Sequence, residues 1–344
     1  MNEFEKKVLL KLDQMQDDIN QLKRSGCLLN KLPISTATAV NIPDDVAGPI
    51  DRAGAPLAAA DLFYGINIPY INYGNDILGK WDHKPLSKDS AKRKKLLDLF
   101  RTAREEGFAV VRFWFFPTFW HDDYNDMSTI KTSIDVLFQI AQTADVKLVP
   151  TITSFNAFDK EKDEFGRLDP IEFLSSATGS QLIQTLRMCF DKHKGNIMHI
   201  DLINEIEWAI TDIPDADPNR KDLHVIDMYK ALKLIDLLKK AVPSSCDYIL
   251  GSASLKWSKF AEKIGHRCVD FHAYEGWSID YFPPLEKGKE YADSFDADMY
   301  MGETDVPVRY WEQYREVYKS VFLWAEPDNY KDSTQFREFL RDKK

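Results

Sequence analysis

The stretch HIDLINEIEW, residues 199–208, is largely apolar through Ile203 and then turns to Asn204 and Glu205. A second carboxylate, Glu303, closes the run DMYMGE at 298–303. Arg112 lies inside VVRFWFFP, His272 and Tyr274 lie inside FHAYEGW, and Trp324 closes a run that Glu326 follows. A charge inside an apolar strand is costly unless it is paired, so these groups are expected to converge. Two carboxylates on one rim suit work at a glycosidic bond. One is kept neutral to protonate the leaving oxygen, and the other is kept ionised to attack the anomeric carbon. Arg112 suits the ionised partner, because a nearby cation favours the charged form, and Tyr274 can donate a hydrogen bond to the same group. Glu205, flanked by Ile206 and Trp208, is expected in a drier spot that raises its pKa. Glu207 is either a supporting partner or a solvent-facing residue.

Something must hold these residues at one rim. From residue 61 onward, short apolar runs alternate with amphipathic ones. The strand-like runs are 62–68, 109–115, 147–153, 197–203, 247–252, 268–274, 298–303 and 320–325. Helices are expected between them, over 88–106, 131–144, 180–193, 222–241 and 310–319. Repeated strand–helix alternation requires a parallel sheet, because each crossover returns the chain to the same end. Eight such units predict an α/β fold, a closed (β/α)8 TIM barrel over 61–344, whose active site lies at the C-terminal strand ends. An open doubly wound sheet would announce itself with a Gly-rich turn after the first strand, and none follows here.

The order of Asn204-Glu205 on the fourth strand and Glu303 on the seventh resembles the signature of clan A glycoside hydrolases. Arg112, His272-Ala273-Tyr274 and Trp324 make the chain most similar to family 5 within that clan. The resemblance spans roughly 61–330 and implies a retaining mechanism, with Glu205 as general acid/base and Glu303 as nucleophile, their carboxyl groups about 5–5.5 Å apart. It further implies that Asn204 bonds the sugar 2-hydroxyl, that Tyr274 and Arg112 position Glu303, that His272 supports the acid, and that Trp324 lies beneath the sugar being cleaved. One departure stands. Family members often carry a His shortly after the third strand, whereas PTITSFNAFDK offers Ser154 and Asn156; His121 is the residue that could fill some of that space. Trp114, Trp120, Trp208 and Trp277 lie at or beyond strand ends, where indoles stack on sugar faces or simply pack. The alternatives are a barrel that holds glycan without cutting it and a Schiff-base aldolase. The latter needs a Lys at a strand end, and these runs offer only Lys147, at the opening end of its own.

The formal net charge of −10 disfavours nucleic acid and anionic membrane surfaces as partners. No apolar run approaches the ~18 residues needed to span a bilayer. The resemblance implies an oligo- or polysaccharide as the partner. No HExxH or His/Asp cluster points to a metal, and the expected chemistry uses no cofactor. The four cysteines form no CxxC and suit buried thiols in a reducing compartment. The start MNEFEKKVLL lacks the pattern of a secretion signal, so a cytoplasmic location is expected. Val8, Leu12, Met15, Ile19 and Leu22 alternate spacings of four and three, a seam with which residues 1–24 form either a homo-oligomerising helix or one that docks on its own domain. Residues 25–60, rich in Ala, Pro and Gly, are expected to be a linker or extended arm.

Overall fold

The computed structural model describes residues 61–71, 76–79, 83–119, 124, 126–158, 168–211, 226–252, 268–273, 298–304 and 314–324. All of them fall within one unit, Ile42–Lys344. The expectations for 1–24 and 25–60 lie outside the described residues, as do Tyr274, Trp277, Glu326, Trp120 and His121.

Eight strands form a closed barrel in chain order. They are β1 Tyr64–Asn67, β2 Val110–Trp114, β3 Lys147–Ser154, β4 Ile200–Asn204, β5 Tyr248–Ser252, β6 Cys268–Ala273, β7 Asp298–Thr304 and β8 Tyr318–Trp324. Every neighbouring pair is parallel, and β8 closes on β1 through Tyr64↔Val321 to Asn67↔Trp324. The strand runs are mostly apolar because both faces are covered, the outer by helices and the inner by the opposite wall.

The described helices are α1 Ser90–Glu105, α2 Met127–Thr143, α3 Pro170–Ser175, α4 Ala177–His193 and α5 Met228–Lys239. Each begins at a side chain that accepts a backbone N–H of the first turn, from Asp89, Asp126, Asp169, Ser176 and Asp227 in turn. Such caps stabilise a helix start by about 1 kcal/mol each. Leu96 and Phe100 of α1, Ile134 and Phe138 of α2, Leu186 and Phe190 of α4, and Leu234 and Leu238 of α5 are buried in the main core.

The helix expected over 131–144 starts earlier, at Met127, and the one expected over 222–241 starts only at Met228, after Ile226 bridges Ile210. Two further helix expectations need correction. The helix expected at 180–193 starts earlier, at Ala177, and α3 precedes it without having been foreseen. The helix expected over 310–319 does not extend that far, because β8 begins at Tyr318. Tyr318 pairs with Met299 across the sheet and packs its ring on Phe271 at 5.5 Å, so the barrel claims that position.

Inside the barrel the lower layer is mostly apolar, with the buried His199 ring against Tyr300 and Phe322. Val110, Val149 and Phe322 form one cluster, and Ile249 and Tyr300 another. Gly65 leaves the space that the Phe322 ring occupies. Above this floor the interior turns polar, with Asn67, Arg112, Thr151, Asp201, Asp270 and His272 all buried.

Candidate active site

Arg112 is the hub of the polar layer, and β2 places its buried guanidinium across the barrel. Nη1 donates to Glu303 Oε1 at 2.6 Å and to Asn67 Oδ1 at 3.1 Å. Nη2 donates to Asp201 Oδ2 at 2.7 Å and to Asn204 Oδ1 at 2.5 Å. The fork geometry of a guanidinium permits this four-way hold; an ammonium could not match it. Burial works against the Arg112 charge, but the carboxylates of Asp201, Glu303 and Asp270 outweigh burial and hold its pKa above the ordinary value.

The surrounding groups are fixed in turn. Asp201 also accepts the Thr151 hydroxyl and the Gly251 N–H, both at 3.0 Å. Asn67 donates from Nδ2 to the carbonyls of Gly302, at 2.9 Å, and Leu323, at 3.2 Å. Glu303 is therefore held through its own side chain and through the backbone one residue before it.

Glu205 leaves β4 in a left-handed conformation, φ 53° and ψ 42°, a region that non-Gly residues seldom occupy and that costs of order 1 kcal/mol or more. Its N–H donates to the Gly251 carbonyl at 2.6 Å, and its carbonyl accepts from the Trp208 N–H at 3.1 Å. These bonds secure the turn. The side chain then meets His272 Nδ1 at 2.6 Å through Oε1, while Oε2 accepts from the Trp208 indole at 3.1 Å. His272 Nδ1 also lies 3.5 Å from Glu303 Oε2. Burial alone would lower the His272 pKa, but Glu303 and Glu205 together outweigh it and push it up to about 9.

Glu205, His272 and Glu303 each place one atom within 4.8 Å of the others. A cation could sit among three such groups. The imidazolium, however, has no lone pair to offer, and Nδ1 is already engaged with Glu205, so the trio is suited to sharing a proton rather than binding a metal.

Two other carboxyl groups differ in character. Burial pushes Glu207 up to about 7, against the pull of the Ser252 hydroxyl that donates to its Oε1. Burial also pushes Asp270 up to about 7, against His272 and Arg112. Glu207 is thus interior, not solvent-facing. Asp270, Asp201, Asn67 and Thr151 were not foreseen, although Asp201 and Asp270 were visible as charges inside apolar runs.

On the rim, Trp114 and Trp324 stand with ring centroids 6.3 Å apart, and Tyr70 meets Trp114 edge-on at 6.0 Å. The Arg112 guanidinium lies 5.9 Å from the Trp114 ring. Asn156 stands half-buried in the turn after β3, where its N–H donates to Ser154 Oγ. The structure therefore gathers Arg112, Asn204, Glu205, His272, Glu303, Trp114, Trp208 and Trp324 at one end of the barrel, with Asn156 at the end of the adjoining strand.

No protein-family model matches the sequence, and no curated protein matches it. Solved structures do match. A β-1,4-D-mannanase from Cryptopygus antarcticus superposes with a TM-score of 0.61 at 13% identity, covering 82% of this chain and 88% of that one. The fold is shared. An endo-1,4-β-mannanase from Eisenia fetida gives 0.57 at 14% identity over 82% and 89%. One from Rhizomucor miehei gives 0.51 at 14% over 81% and 94%. At such identities the likeness speaks to the barrel and its near-complete coverage, and the chemistry rests on this chain's own residues.

Proposed function

We propose that this barrel is a retaining glycoside hydrolase that cleaves β-linked glycans, with β-mannan as the first substrate class to test. One observation carries the reading: carboxylates from the ends of β4 and β7 approach within 4.8 Å, with His272 between them. That approach of the nearest oxygens is on the scale of the roughly 5–5.5 Å between the carboxyl groups of retaining enzymes and supports that reading over the roughly 6.5–9.5 Å of inverting ones. The mannanase names of the structural neighbours support the choice of substrate.

In this mechanism an oxygen of Glu303, held by Arg112, attacks the anomeric carbon. The bond to the leaving oxygen breaks as that oxygen takes a proton from the Glu205–His272 pair, leaving a glycosyl ester on Glu303. Water then attacks the same carbon, Glu205 accepts its proton, and the ester bond to Glu303 breaks. Asn204 bonds the 2-hydroxyl, Trp324 and Trp114 pack against the ring, and Trp208 keeps Glu205 in place. The mechanism draws on no metal or organic cofactor.

Glu205→Gln and Glu303→Gln, assayed on mannan oligosaccharides, cello-oligosaccharides and aryl β-glycosides, test the assignment. Both are expected to lose activity by several orders of magnitude, and the first-formed product should keep the β-configuration by NMR. An α-configured product, or two variants with near wild-type rates, overturns the reading. Tight glycan binding without product release would instead favour the binding-barrel alternative.

A further inference from the structure

Asp270 stands two residues before His272 on β6 and is 1% exposed. Among the described residues no donor reaches either of its carboxyl oxygens, and no acceptor reaches Nε of Arg112. Both are buried in one interior, and the Asp270 charge is among those that raise Arg112. The carboxyl lies against the backbone of β7 at Gly302, where any Cβ would collide with it. Glu303 is the next residue.

The charge balance explains what such a group does there. Arg112 from β2 and His272 from β6 are the cations facing Asp270, and Asp201 from β4 and Glu303 from β7 are the anions. Tyr300 is its pairing partner on β7, and β5 faces it with Gly251 and Ser252, neither of them ionisable. Arg112 already serves two carboxylates through its terminal nitrogens. A third carboxylate beside it finds no free terminal nitrogen; among the described residues the buried donors left without a partner on these two cations are Nε2 of His272 and Nε of Arg112.

We propose that Asp270 is a positioning residue that must stay uncharged: as a neutral acid it leaves Arg112 to Glu303, and as an anion it engages the vacant Nε and loosens that hold. The inference rests on the hydrolase reading above. It places the first alkaline loss of activity on Asp270, with burial setting its titration at about 7, below that of His272 at about 9.

Asp270→Asn keeps the shape and fixes the neutral state. The pH profile of kcat/KM on an aryl β-mannoside is measured for both proteins. The ratio of the rate at pH 8 to that at pH 5 should rise about tenfold in Asp270→Asn, the effect expected when a group titrating near 7 no longer ionises. An unchanged ratio overturns the proposal. A second measurement serves if that variant fails to fold. In the Glu207→Gln protein, which lacks the other interior acid that burial raises, the infrared C=O band of a buried protonated carboxyl should persist at pH 5 and vanish as pH rises past 7. Absence of that band at pH 5 also overturns it. If the wild type cleaves no glycoside at any pH, the hydrolase reading falls, and the infrared titration still decides whether Asp270 is neutral.

Discussion

Nδ1 of His272 lies 2.6 Å from Oε1 of Glu205, a contact made across the barrel rim between β6 and the turn after β4. The left-handed backbone at Glu205 aims its carboxyl at the ring, and the Trp208 indole holds the other oxygen. The proton assignment on the ring follows its surroundings: two carboxylates on one side favour the imidazolium.

That pairing has a pH signature in stability. The folded pKa of His272, about 9, is above its ordinary 6.5. A raised pKa adds stability that is full below 6.5 and lost as pH rises through 9. The melting-temperature gap between wild type and His272→Asn should therefore be widest at pH 6 and close towards pH 10. A shift of this size corresponds to something on the order of 3 kcal/mol. A gap that is constant with pH would mean that packing, not charge, stabilises the ring.

Arg112→Lys keeps the charge and loses the fork. A lysine reaches at most two or three of the four acceptors now served at 2.5–3.1 Å. Leaving Asp201 or Glu303 buried without its partner costs about 3–5 kcal/mol. Urea unfolding should reveal a loss of that order, and kcat on an activated aryl glycoside should fall by about 100-fold or more, the scale of a misplaced reacting group. A variant with wild-type kcat would remove Arg112 from the positioning of Glu303.

Asp270→Asn should also stabilise the fold, but only in one pH range. Burial raises Asp270 from 3.8 to about 7. Its contribution is thus full below 3.8 and lost as pH rises through 7, with a cost at pH 8 on the order of 4 kcal/mol. The amide escapes that cost. Melting curves should place the variant above wild type at pH 8 and level with it at pH 4. A variant less stable at both would mean that the carboxyl has a partner the amide cannot replace.

Much of this was legible in the sequence, for physical reasons. Strands covered on both faces must be apolar, so VVRFWF and DMYMGE stand out, and a lone arginine in such a run needs anionic partners. The inward-facing positions were less legible, because side chains alternate only while the ladder is regular. Asp270 and His272 are two apart and share a face as expected. On β4 the register shifts between Asp201 and Asn204, and on β7 between Met301 and Thr304. Each bulge turns the strand, so Asn204 joins Asp201 on Arg112 and Glu303 faces the interior one residue after Gly302. Nothing in the residue order marks those shifts. Asp201 and Asp270 were the missed signals: a carboxylate inside an apolar strand is as informative as the arginine that answers it.

The contact between Asp270 and Gly302 can be tested directly. A methyl at 302 meets the Asp270 carboxyl, and the carbonyl of the same residue accepts from Asn67 Nδ2 at 2.9 Å. The strand cannot move aside without loosening that bond and shifting Glu303. Gly302→Ala alone should therefore cost about 1–3 kcal/mol, the usual range for overpacking a tight interior. In an Asp270→Ala background the space is open, and the same substitution should cost less than about 0.5 kcal/mol. The double-mutant cycle then returns a coupling of about 1–2 kcal/mol between the two sites. Kinetics should follow the same cycle, with kcat falling in Gly302→Ala and partly returning in the double variant as β7 relaxes under Glu303. Strictly additive losses would mean that the two residues do not share the space beneath the nucleophile.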